Sequence, residues 1–300
     1  MKVLARFFLL FFLILTILRG AEASPKRIVS LTPVGTEILF ALGQKDNIIG
    51  VTNFCDYPPE ALKKPKIGGY AEVNFETLLS KKADLLVLQD MHLQYRNDLK
   101  KLKIPYVVVR QESVEDIYNS ISELGSLCGA SQKAAALTAR MKDEIAAVEA
   151  KVKGLPAPDV LLCVSRELSE PRISVFYAAG KKTFYNELIS RAGGKNALRG
   201  EKSGSSYPKI SQEGLAAIDP TVIIDLVGER TFYHAMEHID LDKVFDKKHL
   251  LGQWLAGAKV KAVRGGRVFI LDGTVYLRPG PRLPIVLKAF AQAIHPELEW

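Results

Sequence analysis

The chain is poor in the groups on which most enzymes build their chemistry. Its 300 residues include only three cysteines, five histidines and two tryptophans. Cys55, Cys128 and Cys163 are scattered, with no C-x-x-C pair, so they close at most one disulfide and the fold does not depend on covalent staples. There is no GxGxxG. The nearest approach to a phosphate loop, Gly180-Lys181-Lys182-Thr183, lacks the upstream glycine and the order that would cradle a nucleotide. G-x-S-x-G is missing, as is a Ser or Cys beside a plausible His at a hydrolase elbow. His234 and His238 stand four apart, but no glutamate completes a zinc-protease signature, and the pair reads as surface histidines rather than metal ligands. His92 follows the strand that ends at Gln89, where α/β proteins place ligand contacts, and is the better pocket residue. The sequence therefore predicts no catalytic residue, no metal site, no cofactor and no enzymatic activity.

Long single-sign charge runs are also lacking. Lysines alternate with acids, as in residues 60–66 and 142–153, and no basic block with aromatic spacing suits a nucleic-acid groove. A composition of 48% hydrophobic and 25% charged residues is that of a globular protein large enough for two modest domains. Lys2 and Arg6 precede the apolar run Phe7–Leu18, and Ala21-Glu22-Ala23 follows Arg19. Residues 1–23 thus read as a cleaved signal peptide, too short in its apolar part for a good membrane span, and export to the periplasm is expected. No cysteine follows the run, so a lipid anchor is not expected. Without this leader the net charge of +8 falls to about +6.

What the sequence does have is a repeated alternation of apolar strand-length runs and amphipathic helices. Runs 27–31, 48–52, 84–88 and 106–109 are separated by helical patterns at 35–42, 74–82 and 95–102, and the same grammar returns at 159–164, 221–227 and 267–271. This predicts βαβ units and mainly parallel sheets covered on both faces, in two α/β lobes. Between them, Ala134, Leu137, Met141, Ile145, Val148 and Val152 recur at three- and four-residue steps, ending at Gly154, Pro156 and Pro158. The expected organisation is a first lobe over 24–130, a rigid bridging helix over 131–154 and a second lobe over 155–300.

Two further patterns bear on function. Asn74-Phe75-Glu76-Thr77-Leu78 precedes the run at 84–88, and Ser211-Gln212-Glu213-Gly214-Leu215 precedes the run at 221–227 at the same offset. Each glutamate falls in the first helical turn after a capping residue, where the helix dipole favours an acid. The loops expected at the carboxyl ends of strands are rich in aromatics: Phe54, Tyr57 and Tyr70 in the first half, and Phe176, Tyr177, Tyr207 and Tyr276 in the second. Phe176 and Tyr177 are placed after strand-like residues 173–175. Two lobes with an aromatic-lined cleft describe a binder of a large amphipathic ligand better than a catalyst.

The segments RIVSLTPVGTEILFALG, GVTNFCDYPPEALKKPKIGGYAEVNFETLLSKKADLLVL, AGGKN, YPKISQEGLAAIDPTVII and LRPGPR carry a resemblance. Over residues 26–295 the chain resembles the exported substrate-binding proteins of ABC importers that have a single bridging helix, most closely the vitamin B12 binders. That resemblance implies a corrinoid as the transported ligand, with a ferric siderophore or haem as the alternative within the class. A periplasmic tetrapyrrole-handling enzyme on the same bilobed fold is a further alternative. It implies cleft contacts at Phe54 and Tyr70 from the first lobe and at Tyr177 and Tyr207 from the second, with Asp272 and Arg278 as polar contacts. Gln89 occupies a position that is aromatic in the B12 binders, Tyr70 and Tyr207 stand where tryptophan is frequent, and Ala192 replaces a half-cystine. It also implies that Glu76 and Glu213, one on each lobe, dock on the membrane permease, and that the protein acts as a monomer.

Overall fold

The structure is a computed structural model and describes residues 24–69, 71–199, 205–228 and 241–300. The leader at 1–23, Tyr70, and the pair His234 and His238 lie outside the described residues. Among the described residues no helix is long and apolar enough to cross a membrane.

The first lobe is built on strands β1 (Ile28–Ser30), β2 (Ile48–Val51), β3 (Leu85–Leu88) and β4 (Tyr106–Val108) in the order β2-β1-β3-β4, with every pair parallel. All residues of β1 and β3 are buried, which is why these segments read as unbroken apolar runs rather than as alternation. The helix Pro33–Ala41 follows β1 and opens on a proline, whose fixed φ suits the first helical turn.

The second lobe carries β5 (Asp159–Arg166), β6 (Val175–Ala178), β7 (Lys195–Asn196), β8 (Lys209–Ser211), β9 (Val222–Val227) and β10 (Val268–Asp272). The order is β10-β9-β5-β6-β8, with β7 attached to β5. β10, β9 and β5 are parallel, whereas β6 and β8 run antiparallel at one edge. This corrects the expectation that Phe176 and Tyr177 stand in a loop: both lie within β6. Successive strand side chains point to opposite faces. Phe176 is therefore fully buried against Trp254, ring centroids 5.4 Å apart in an edge arrangement, while Tyr177 is 43% exposed. A buried Arg166–Asp225 pair at 2.8 Å completes this core, and the Trp254 indole N–H donates to the same carboxylate.

Between the sheets lies the helix Ser131–Val152, 22 residues and so about 33 Å long. Its buried residues are Ala134, Leu137, Met141, Ile145, Val148 and Val152. They pack against the helices Val114–Leu127 and Leu283–Ile294. One hydrophobic cluster consequently runs from Ile28 and Val87 in the first lobe, through Met141 and Ile145, to Val160 and Ile224 in the second. Cys55, Cys128 and Cys163 are all buried and free.

Candidate functional site

Beyond the shared core, the lobes come together at one edge and stand apart at another, and strand order places both. β2 and β10 are edge strands of their sheets, and the loops that follow them come together. Arg278, 5% exposed, reaches across to pair with Asp56, which also accepts from Thr274 Oγ1 at 3.3 Å. Beside this, Arg282 makes a two-pronged contact to Glu37, with Nε to Oε2 at 2.8 Å, and its guanidinium lies 3.7 Å from the centre of the Tyr57 ring. Glu37 is 3% exposed, and burial pushes its carboxyl above the ordinary range against the opposing pull of Arg282. These groups form a charged clamp: each carboxylate sits on the first lobe and each guanidinium on the second.

The loop at Asn53–Gly69 is the stiff part of this clamp. Cys55 is buried and accepts the Thr36 hydroxyl at 3.2 Å, with burial raising its thiol pKa. Lys66 Nζ donates to the carbonyls of Thr52 at 3.2 Å and Cys55 at 3.1 Å, so one ammonium gathers the backbone around it. Burial lowers the pKa of that ammonium. Gly68 has φ +141°, and a Cβ there would meet the Glu72 carbonyl at 2.9 Å, whereas Gly69 has open space. Only the first glycine of the pair is required for the turn.

At the opposite edge the lobes stand apart around a cavity of about 490 Å³. Gln89, Asp90 and Met91, immediately after β3, and Val109, Gln111 and Glu112, immediately after β4, form its first-lobe wall. These are carboxyl ends of parallel strands, the usual crevice of an open α/β sheet. The facing wall comes from the connection after β6, at Lys182, Thr183 and Phe184, and from Ser206 and Tyr207 ahead of β8. Next to the cavity, the Val114 amide donates to Glu187 Oε2 at 3.0 Å, tying one lobe to the other.

The residues named from the sequence divide between these places. Gln89, 6% exposed, and Tyr207, 40% exposed, share the cavity. Arg278 is held in the clamp, and the half-buried Phe54 lies in the clamp loop two residues from Asp56. Asp272 ends β10 beside the clamp, and Tyr177 lies on the exposed face of β6, outside the cavity lining. His92 is 1% exposed and also outside the lining; its Nδ1 accepts the Gln89 amide at 3.0 Å and so shapes the turn that presents Gln89 and Asp90. Lys182 reads in the sequence only as part of an incomplete phosphate loop, and Gln111 and Glu112 are polar residues on a connection with no local pattern to distinguish them from other surface positions.

Glu76 and Glu213 are both exposed and both stand in the first turn of a short helix. Asn74 Oδ1 accepts from the Thr77 amide at 2.8 Å and Ser211 Oγ from the Gly214 amide at 3.2 Å, so the echo in sequence is an echo in structure. A hydrogen bond with Ser211 lowers the Glu213 pKa. Among the described residues no group of three His, Cys, Asp or Glu side chains is arranged to hold a metal.

The chain is similar to known proteins. The chain is 29% identical over 281 residues to an uncharacterised ABC transporter substrate-binding lipoprotein of Bacillus subtilis, covering 92% of this chain and 82% of that one. It is 28% identical over 214 residues to the vitamin B12-binding protein of Salmonella choleraesuis, covering 71% and 76%. The crystal structure of a periplasmic heme-binding protein from Pseudomonas aeruginosa superposes with a TM-score of 0.73 at 26% identity, covering 92% of this chain and 94% of that one. The model of the family described as periplasmic binding protein matches residues 28–275. With two α/β lobes, a long helix between them and a cavity where they part, the chain belongs to the periplasmic binding protein family.

Proposed function

We propose that the mature protein captures a corrinoid in the periplasm, in the cavity between its lobes, and delivers it unaltered to an ABC importer. The observation that carries this reading is the interlobe cavity of about 490 Å³ at the carboxyl ends of β3 and β4, in a chain whose relatives include a vitamin B12-binding protein. Apolar ring area removed from water supplies the affinity, and Gln89 and Tyr207 meet polar groups at the ring edge. Phe54, Tyr70, Tyr177 and Asp272 join these contacts if the lobes rearrange around the ligand. Haem is the second reading, favoured by the likeness to the Pseudomonas heme-binding protein. Titration of purified protein with cobalamin, cobinamide, haem and a ferric catecholate separates them. A shift of the corrinoid spectrum with saturable heat is expected. Haem or catecholate binding with no response to either corrinoid would overturn the assignment.

Delivery rests on Glu76 and Glu213. One exposed acid at the same position of each lobe suits a partner made of two equivalent halves. Glu76→Arg combined with Glu213→Arg should abolish uptake in cells while leaving ligand titration unchanged. Uptake that survives both reversals removes this role.

A further inference from the structure

The two walls of the cavity carry opposite charge. Among the described residues, the first-lobe wall has two carboxylates, Asp90 and Glu112, two side-chain amides, Gln89 and Gln111, and no cation. The side-chain amide oxygens of Gln89 and Gln111 are buried without a hydrogen-bond partner. Among the described residues, the second-lobe wall has the ammonium of Lys182, the hydroxyls of Thr183, Ser206 and Tyr207, and no acid. Asp90, Glu112 and Lys182 are all exposed, and no ion pair joins them among the described residues. Arg278, the cation expected to meet a ligand anion, is already neutralised by Asp56.

We infer that this asymmetry orients the ligand and selects its rim. An anionic group of the ligand lies against Lys182, and neutral N–H donors lie against Asp90, Gln111 and Glu112. The physical reason is twofold. A carboxylate brought to the first-lobe wall meets two like charges, whereas a primary carboxamide supplies neutral N–H donors to that wall. A phosphodiester placed at Lys182 gains a charge-assisted contact that no other described side chain of the lining offers. The inference rests on the corrinoid reading and adds to it. Lys182, Asp90 and Glu112 become specificity-determining residues, and the favoured ligand has a carboxamide rim with a single anion rather than a carboxylate rim.

Three corrin rings test it. Cobalamin carries carboxamides and a phosphodiester, cobinamide carries carboxamides alone, and cobyrinic acid carries carboxylates. Lys182→Glu should weaken cobalamin by about tenfold and leave cobinamide within about twofold. Asp90→Asn with Glu112→Gln should tighten cobyrinic acid by about tenfold and leave cobinamide within about twofold. All three positions are exposed, so these variants are expected to fold. Equal effects on all rings, or none, would overturn the orientation while leaving the corrinoid reading intact. If wild-type protein binds haem and no corrin, the corrinoid reading falls. The walls are then tested by Lys182→Glu against haem and its diamide, where weakening of both alike removes the proposal. Failure to bind any tetrapyrrole overturns both.

Discussion

The clamp and the cavity use the same materials to opposite ends. At both, the first lobe contributes carboxylates and the second contributes cations: Glu37 and Asp56 against Arg282 and Arg278, then Asp90 and Glu112 against Lys182. At the clamp the charges are in contact and mostly buried, so they join the lobes there. At the cavity they face each other across a gap. The difference lies in what flanks them. In the clamp, Asp56 sits on a backbone pinned by Lys66, Glu37 is buried in the helix after β1 and Arg282 lies against the Tyr57 ring, whereas the cavity charges are exposed and lie on connections that follow strands. Charge complementarity between lobes therefore teaches little by itself. Its burial decides whether it serves to fasten or to receive.

This contrast predicts that clamp substitutions change stability and cavity substitutions change binding. The largest effect is expected for Arg282→Ala, which strands the Glu37 carboxylate in a site only 2% exposed at its side chain. Breaking a buried pair on one side costs about 3 kcal/mol, to be read as a lower denaturant midpoint at unchanged slope. Next, Tyr207→Ala should weaken the ligand by about 1–2 kcal/mol and leave the thermal midpoint nearly unchanged. A stability loss as large as the affinity loss would place Tyr207 in the fold rather than the site. Asp56→Asn should cost about 1 kcal/mol of stability, less than Arg282→Ala because the Asp56 side chain is 32% exposed, with no change in ligand affinity.

The smallest effect is a pH dependence. Burial raises the Glu37 pKa above the ordinary value near 4.5, so the folded protein holds this proton more tightly than the unfolded chain. Its contribution to stability is therefore fully present below the ordinary value and is lost as pH rises through the raised one. Protonation also releases Arg282 from its charge partner. Glu37→Gln should remove this slope, so the stability of wild type relative to the variant should fall as pH rises across that window. Parallel curves for the two proteins would show that Glu37 does not titrate there.

Much of this fold is legible in the sequence because its strands and long helix are specified locally. Leu85–Leu88 is an unbroken buried run, and the six apolar positions from Ala134 to Val152 are the six buried positions of the helix. The Asn74 and Ser211 caps are likewise three-residue signals. The antiparallel edge is less legible, since the pairing of Phe176 with Arg166 and Ile210 depends on distant strands and not on the alternation alone. Least legible is the clamp. Arg278 and Arg282 lie 222 and 245 residues from their partners, and nothing around an isolated arginine says whether it will meet a ligand or a carboxylate from the other end of the chain. The cavity is half legible, as Gln89 follows a recognisable strand whereas Lys182 follows β6, whose direction is set by pairing with distant β5 and β8.

The hydrophobic cluster that passes without a break from Ile28 through Met141 to Ile224 has a consequence for how the molecule is lost and made. A core shared in this way makes unfolding cooperative across both lobes, so calorimetry should record one melting transition whose calorimetric and van't Hoff enthalpies agree. Neither half, expressed alone, is expected to keep a cooperative melt, because each would present to water the apolar seam that the other now covers.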